Sequence, residues 1–279
     1  MIVAVDGAEL HCSTRGTGPA CLVLTNLGTQ PLERMMPPRL SDRHTLVFVD
    51  LRGSGRSTGE PADLTFDRLA EDLEAVRTHL GFERVAVLGY SILGALAIEY
   101  GRRRPASVSH VIAVGTPPRG DMAWLAERSA AFFEQHASDD RKQILRDNMA
   151  RLPPGTPPSQ AIFAQTPMRF FDARFEAAPL FADAVFKPRF FEHLLGPLTA
   201  GWDVTAGADA LRVPLLIALG RHDYTVPHSV WEGIVETLPD ATMQIFERSG
   251  HQPFFEEPDR FATVVGDWMR ERPTERNGR

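Results

Sequence analysis

The chain has 279 residues, 43% of them hydrophobic and 24% charged, with a formal net charge of −6. Such a composition excludes an intrinsically disordered chain and supplies enough apolar side chain for a large core in one or two domains. The negative balance argues against nucleic acid and acidic membrane surfaces, which need a basic patch; the densest basic run, Arg102-Arg103-Arg104, reads as a solvated helix end.

Residues 2–5 and 9–12 flank Asp6-Gly7 and predict a hairpin. The apolar runs 21–25 and 46–49 are short and continuous, as strands buried on both faces of a parallel sheet must be. Helical spacing follows over 65–80, with Thr65 as N-cap and Gly81 as the stop. The cycle repeats as strand 85–88, helix 92–100 and strand 111–114. It resumes with strand 215–219, a helix over 228–238, strand 242–246 and a closing helix over 258–269. This alternation predicts an α/β fold with a doubly wound sheet. The stretch 119–205 breaks the rhythm. It reads as helices and loops divided by the cluster Pro153-Pro154-Gly155-Thr156-Pro157-Pro158, and it holds ten of the 17 phenylalanines. Those rings are expected to fill a small core and to line an apolar pocket. The expected organisation is a core over 1–118 and 206–279 with a helical cap insertion over 119–205.

Cys12 and Cys21 are too few for a disulfide scaffold or a four-cysteine zinc site and read as buried thiols. No signal-peptide pattern opens the chain and no apolar run spans a bilayer, so a soluble cytoplasmic protein is expected. No metal is expected, because no cluster has ligand spacing. No cofactor is expected either: Gly53-Ser54-Gly55 lacks the Lys of a phosphate loop and the third Gly of a dinucleotide turn.

The chemistry is carried by three loops. In Val87-Leu88-Gly89-Tyr90-Ser91-Ile92-Leu93-Gly94 a strand runs straight into a helix with Ser91 on the turn. Such a turn lifts a hydroxyl above the sheet and sets the Ile92 amide at a helix N-terminus, where it can donate to an oxyanion. A serine that merely caps a helix is the bland alternative. Asp223, in Gly220-Arg221-His222-Asp223, follows a buried strand, and His251, in Ser249-Gly250-His251, follows the last one. In a parallel sheet all three emerge at the same edge. His222 and His228 read as loop and helix-start residues, Asp50 and Arg52 as scaffold, and Asp203 as the fallback acid.

The order Ser91, Asp223, His251, together with Asp50-Leu51-Arg52-Gly53-Ser54-Gly55-Arg56-Ser57 and Glu257-Pro258-Asp259-Arg260-Phe261, resembles the α/β-hydrolase superfamily. The likeness is strongest to its proline-iminopeptidase-like and enol-lactonase-like serine hydrolases. It covers about residues 20–118 and 200–270, and it implies a mostly parallel eight-stranded sheet with a cap. It also implies an acyl-enzyme on Ser91, with His251 as base and Asp223 as its orienting acid. Two departures stand out. Leu93 occupies the position where the family usually has a small residue, and Thr25-Asn26-Leu27-Gly28-Thr29 replaces the usual His-Gly. By resemblance the Leu27 amide becomes the second oxyanion donor. Asn26, Tyr90 and Tyr224 are the substrate-binding candidates.

The expected activity is hydrolysis of a carboxylic ester or lactone of a small, largely apolar molecule. An aminopeptidase or amidase is the alternative, needing cap carboxylates such as Glu176, Asp183 or Glu192 for a substrate ammonium. Carbon–carbon bond hydrolysis uses the same triad. A ligand binder or a cyclase on the same scaffold is the reading from a different class. The partner is a small molecule, and exposed Phe in the insert would suit a homodimer.

Overall fold

A computed structural model describes residues 1–156 and 158–271. Pro157 of the proline cluster, and 272–279 of the expected core, lie outside the described residues.

Eight strands, β1 (Ile2–Val5), β2 (Ala8–Arg15), β3 (Ala20–Thr25), β4 (Thr45–Asp50), β5 (Val85–Tyr90), β6 (Val108–Val114), β7 (Leu215–Gly220) and β8 (Ala241–Phe246), form one sheet in the order β1-β2-β4-β3-β5-β6-β7-β8. The hairpin and the β2–β4 pair are antiparallel; every later pair is parallel. The apolar runs have the predicted cause: every residue of β3 and β7 is buried, because helices cover both faces. One face packs under Phe66–His79 and Leu93–Arg103, the other under Pro258–Glu271. Thr65 caps the first of these, accepting the Arg68 amide at 3.1 Å, and Gly81 takes the left-handed conformation that ends it. Cys12 and Cys21 are buried and unbridged, and burial pushes both thiols up to about 12.

Two local readings need correction. Residues 228–238 do not form one helix. They make two short 3-10 turns, His228–Trp231 and Val235–Thr237, interrupted by Gly233 in a left-handed conformation that a continuous helix cannot contain. Nor is Arg102 solvated: its side chain is buried, paired with Glu99 at 2.6 Å and donating to the Val204 carbonyl.

Between β6 and β7 the main elements are helices, Met122–His136, Asp139–Ala150 and several shorter ones. The two ends of this segment are clasped together. Gly120 donates to the Trp202 carbonyl at 2.8 Å, Val204 donates to that of Pro118 at 2.9 Å, and Arg119 pairs with Asp203 at 3.1 Å. Trp202 Nε1 donates to the buried Glu99 at 2.9 Å, which ties the clasp to the helix behind Ser91. No helix among the described residues is long and apolar enough to cross a membrane.

Candidate active site

Ser91 is the only non-glycine described residue with a positive φ, 57°. That conformation costs an L-residue roughly 1–2 kcal/mol, and such strain gathers at functional sites. The surroundings enforce it. The Ser91 amide donates to Val114 at the end of β6 at 2.8 Å, and Gly94 closes the turn onto the Ser91 carbonyl at 3.0 Å. Leu93 does not open the turn, because the close packing falls on the glycines beside it. A Cβ on Gly89 would lie 2.2 Å from the Leu93 carbonyl oxygen, and one on Gly94 only 1.9 Å from Thr116 Oγ1. The Leu93 side chain itself is buried in the core. Ile92 stands at the head of the helix, where first-turn amides have no intrahelical acceptor.

The acid and histidine loops pack backbone against backbone. His222 donates to the Ser249 carbonyl at 2.9 Å, and a Cβ on Gly220 would strike the Gly250 carbonyl at 1.9 Å. This closeness brings Asp223 and His251, both fully buried, to an Oδ2···Nδ1 distance of 2.7 Å. The other carboxylate oxygen accepts the Thr225 and Val226 amides at 2.9 and 2.8 Å. A carboxylate can only accept, so the pairing makes Nδ1 the donor and leaves the Nε2 lone pair free; Nε2 is buried and has no hydrogen-bond partner among the described residues. The imidazole lies against the residue before Ser91, with its centroid 4.9 Å from that of Tyr90. It also backs onto Gly115, the neighbour of Ser91's hydrogen-bond partner, where an added Cβ would be 2.9 Å from Nδ1. Asp223 and His251 are thus paired and, like Ser91, stand at the carboxyl ends of the strands, β5 for Ser91, β7 for Asp223 and β8 for His251; no hydrogen bond joins the Ser91 hydroxyl to Nε2 among the described residues.

Asp203 sits elsewhere, at the clasp. Burial raises its pKa, but the Thr205 hydroxyl and amide and the Arg119 guanidinium outweigh that and hold it below the usual carboxylate value. His222 packs edge-on to Phe171, and His228 contacts Arg221 and Phe132. Asp50 is scaffold. It accepts the Thr25 hydroxyl and the Arg56 amide, and so joins the loop after β4 to the turn carrying Asn26 and Leu27. Arg52 forms a buried bidentate pair with Asp72.

A cavity of about 390 Å³ opens beside the site. It is lined by Leu27 and Gln252 together with Ile162, Phe163, Phe170, Phe181, Phe186 and Phe191. The aromatic insert thus divides its labour: Phe133 and Phe190 are buried in packing while five other rings line this space. A larger surface groove between Phe171 and Glu257 has about 570 Å³; Ser91, Asp223 and His251 line neither space, and the smaller cavity is tied to the site by Leu27 and by Gln252, the residue after His251. Of the substrate-binding candidates, Asn26 is half-buried beside Leu27, and the Tyr90 hydroxyl accepts from Gln252 at 2.7 Å. Tyr224 is turned away, packed on Phe132 and Phe133 under Arg141. The cap carboxylates do not reach the cavity lining: Asp183 pairs with Arg34 at 2.8 Å, and Glu176 and Glu192 are exposed.

Several supporting residues escaped the sequence reading. Gly115 carries the one usable signal, a glycine directly after a buried strand. Glu256 carries none. It is half-buried and straps the insert to the histidine loop, accepting the Phe171 amide at 2.6 Å and the Gly250 amide at 2.8 Å. Burial pushes its pKa up to about 7 against those hydrogen bonds. A carboxyl whose folded pKa exceeds its unfolded value binds its proton more tightly when folded. Its contribution is therefore complete at low pH and is lost as pH rises from about 4.5 to about 7. Denaturation of the wild type and of Glu256→Gln between pH 4 and 8 should show the wild type losing stability relative to the variant across that window. A constant difference would contradict this account.

A family model described as the alpha/beta hydrolase fold matches residues 26–258. The chain is 30% identical to the AB hydrolase superfamily protein YclE of Bacillus subtilis, over 95% of this chain and 96% of that protein. It is 26% identical to a proline iminopeptidase of Heyndrickxia coagulans, over 91% and 88% respectively. The enol-lactonase from Burkholderia xenovorans LB400 superposes with a TM-score of 0.71 at 18% identity, covering 97% of this chain and all of that one. With the fold, the strained serine turn and these likenesses in agreement, this chain belongs to the α/β-hydrolase family.

Proposed function

We propose that the protein is a serine hydrolase that cleaves a small carboxylic ester or lactone through an acyl-enzyme on Ser91. The observation that carries this reading is the left-handed Ser91 at the head of a helix beside a buried, Asp223-anchored imidazole whose Nε2 is free. His251 takes the proton from the Ser91 hydroxyl as it attacks the carbonyl, then delivers it to the leaving alcohol. Asp223 fixes the tautomer and stabilises the imidazolium. The Ile92 and Leu27 amides hold the oxyanion, each contributing about 3 kcal/mol to transition-state stabilisation. Water then repeats the sequence on the acyl-enzyme, with His251 as its base. The insert over 119–205 acts as the lid that keeps the apolar substrate dry.

An ester is favoured over an aminoacyl substrate by the cavity itself. An ammonium needs a carboxylate partner, and the described residues lining the cavity include none. A fluorophosphonate probe tests the reading: the wild type should be labelled on Ser91 and Ser91→Ala should not. An unlabelled wild type that still binds small apolar molecules would instead make this a ligand-binding member of the family.

A further inference from the structure

Among the described residues, Arg169 is the one charged side chain lining the aromatic cavity. Its Nε is buried without a partner, and among the described residues its guanidinium has neither an ion pair nor a hydrogen bond. The nearby acids are already engaged: Asp223 holds His251 and two amides, and Glu256 holds the Phe171 and Gly250 amides. Arg169 is nonetheless anchored to the site, since its carbonyl accepts the His251 amide at 2.6 Å. Its charge also reaches the Tyr90 phenol, one residue from Ser91, where it opposes the dominant effect of burial. An orphaned Nε also occurs at Arg15, Arg84, Arg102 and Arg119, but those guanidiniums hold other groups: Arg15 donates to the Glu33 and Met36 carbonyls and Arg84 to that of Val108, while Arg102 pairs with Glu99 and Arg119 with Asp203. With Nε buried and the rest of the guanidinium facing the phenylalanine-lined cavity without a protein acceptor, an anion entering that cavity finds a free cation to pair with. Its planar fork matches a carboxylate in two parallel hydrogen bonds.

We propose that Arg169 is a specificity-determining residue that binds a free carboxylate on the substrate, so that the preferred substrates are short esters carrying a second, ionised carboxyl group. This rests on the ester-hydrolase reading above. Water adds across the scissile ester: the acyl–oxygen bond breaks, hydroxide joins the acyl carbon and the proton leaves with the alcohol, while the remote carboxylate stays bound and unchanged. The carboxylate can stand on either side of the ester, in a mono-ester of a dicarboxylic acid or in an acyloxy-carboxylic acid.

The test compares monomethyl and dimethyl esters of glutaric and adipic acid, and acetoxy acids with their methyl esters, on the wild type, Arg169→Gln and Arg169→Lys. The wild type should favour the anionic member of at least one pair, and which pair it favours identifies the side carrying the carboxylate. In Arg169→Gln that preference, taken as a ratio of kcat/KM values, should fall by about 30-fold, chiefly through KM, as expected for losing a charge-assisted hydrogen bond. Arg169→Lys should restore part of it. Binding of glutarate or adipate to Ser91→Ala, measured by calorimetry, should weaken in parallel when Arg169→Gln is added, and thermal melts check that each variant is folded. A wild type that turns over both members of each pair equally, or an Arg169→Gln that leaves the ratio intact, overturns the proposal while leaving the hydrolase reading standing. A wild type that reacts with the fluorophosphonate but hydrolyses none of these esters likewise overturns the proposal alone; failure to react with the fluorophosphonate removes the hydrolase reading itself, and the proposal with it.

Discussion

Asp223→Asn should lower kcat toward p-nitrophenyl acetate by about 10⁴-fold while the protein keeps its fold, the size of loss seen when a serine triad is held in the wrong tautomer. The local hydrogen bonds explain why the two effects separate. Asparagine keeps an oxygen to accept the Thr225 and Val226 amides, so the loop after β7 stays in place. The amide nitrogen that replaces Oδ2 is a donor, and it faces His251 Nδ1. The ring must then accept at Nδ1 and carry its proton on Nε2, where the base is needed. No hydrogen bond to Nε2 among the described residues opposes that tautomer. Circular dichroism and a melting curve establish the fold; steady-state kinetics give the loss. A variant within tenfold of the wild type would show that Asp223 is not the orienting acid. Asp203→Asn is the matched control. Its carboxylate serves the clasp through Arg119 and Thr205, so that substitution should change kcat by less than tenfold.

The features of this fold and site are unequally legible in the sequence. The parallel core could be read because a strand buried on both faces has no choice but a continuous apolar run, as in Cys21-Leu22-Val23-Leu24 and Val85-Ala86-Val87-Leu88. Ser91 could be read because it stands alone between such a strand and a helix. Asp223 and His251 could be read because each follows a strand end, and sheet topology does the rest. What stayed hidden depends on who meets whom. Gly233 ends a helical pattern because of the conformation it takes here. Tyr224, next to Asp223, turns into the insert and packs on Phe132 and Phe133 rather than on the cavity. Arg169 is one arginine among many in the sequence; its lack of a partner is a property of the folded molecule. Leu93 misled in the opposite direction. The close packing expected at its position is met one residue on, by Gly94 against Thr116, and by Gly89 on the strand.

Arg52→Met should destabilise the protein by about 3–5 kcal/mol, the usual cost of removing one partner from a buried ion pair. Arg52 and Asp72 are both nearly inaccessible and meet through two hydrogen bonds, 3.0 and 2.6 Å. Burial already holds the Asp72 pKa above its usual value even with the guanidinium present, so without it the carboxylate is a buried charge with little to offset desolvation. The variant's deficit should therefore shrink as the pH is lowered toward 4, because protonation of Asp72 removes the charge. The sign is that of an acid whose folded pKa is raised: stability is retained at low pH and lost as pH rises. Urea denaturation at pH 5 and pH 8 measures both effects, and a deficit that grows toward acid pH would contradict them. The double variant Arg52→Met/Asp72→Leu should be more stable than Arg52→Met alone, since what harms the single variant is the abandoned carboxylate rather than the missing attraction. The pair's position gives it a second consequence. Arg52 opens the loop whose Arg56 amide and Ser57 hydroxyl hold Asp50, and Asp50 in turn holds Thr25 at the start of the turn that presents Leu27. In the double variant the stability returns but the bidentate anchor of this loop does not. Its kcat should therefore stay below that of the wild type, with KM less affected, if the Leu27 amide stabilises the oxyanion more than it does the bound ester.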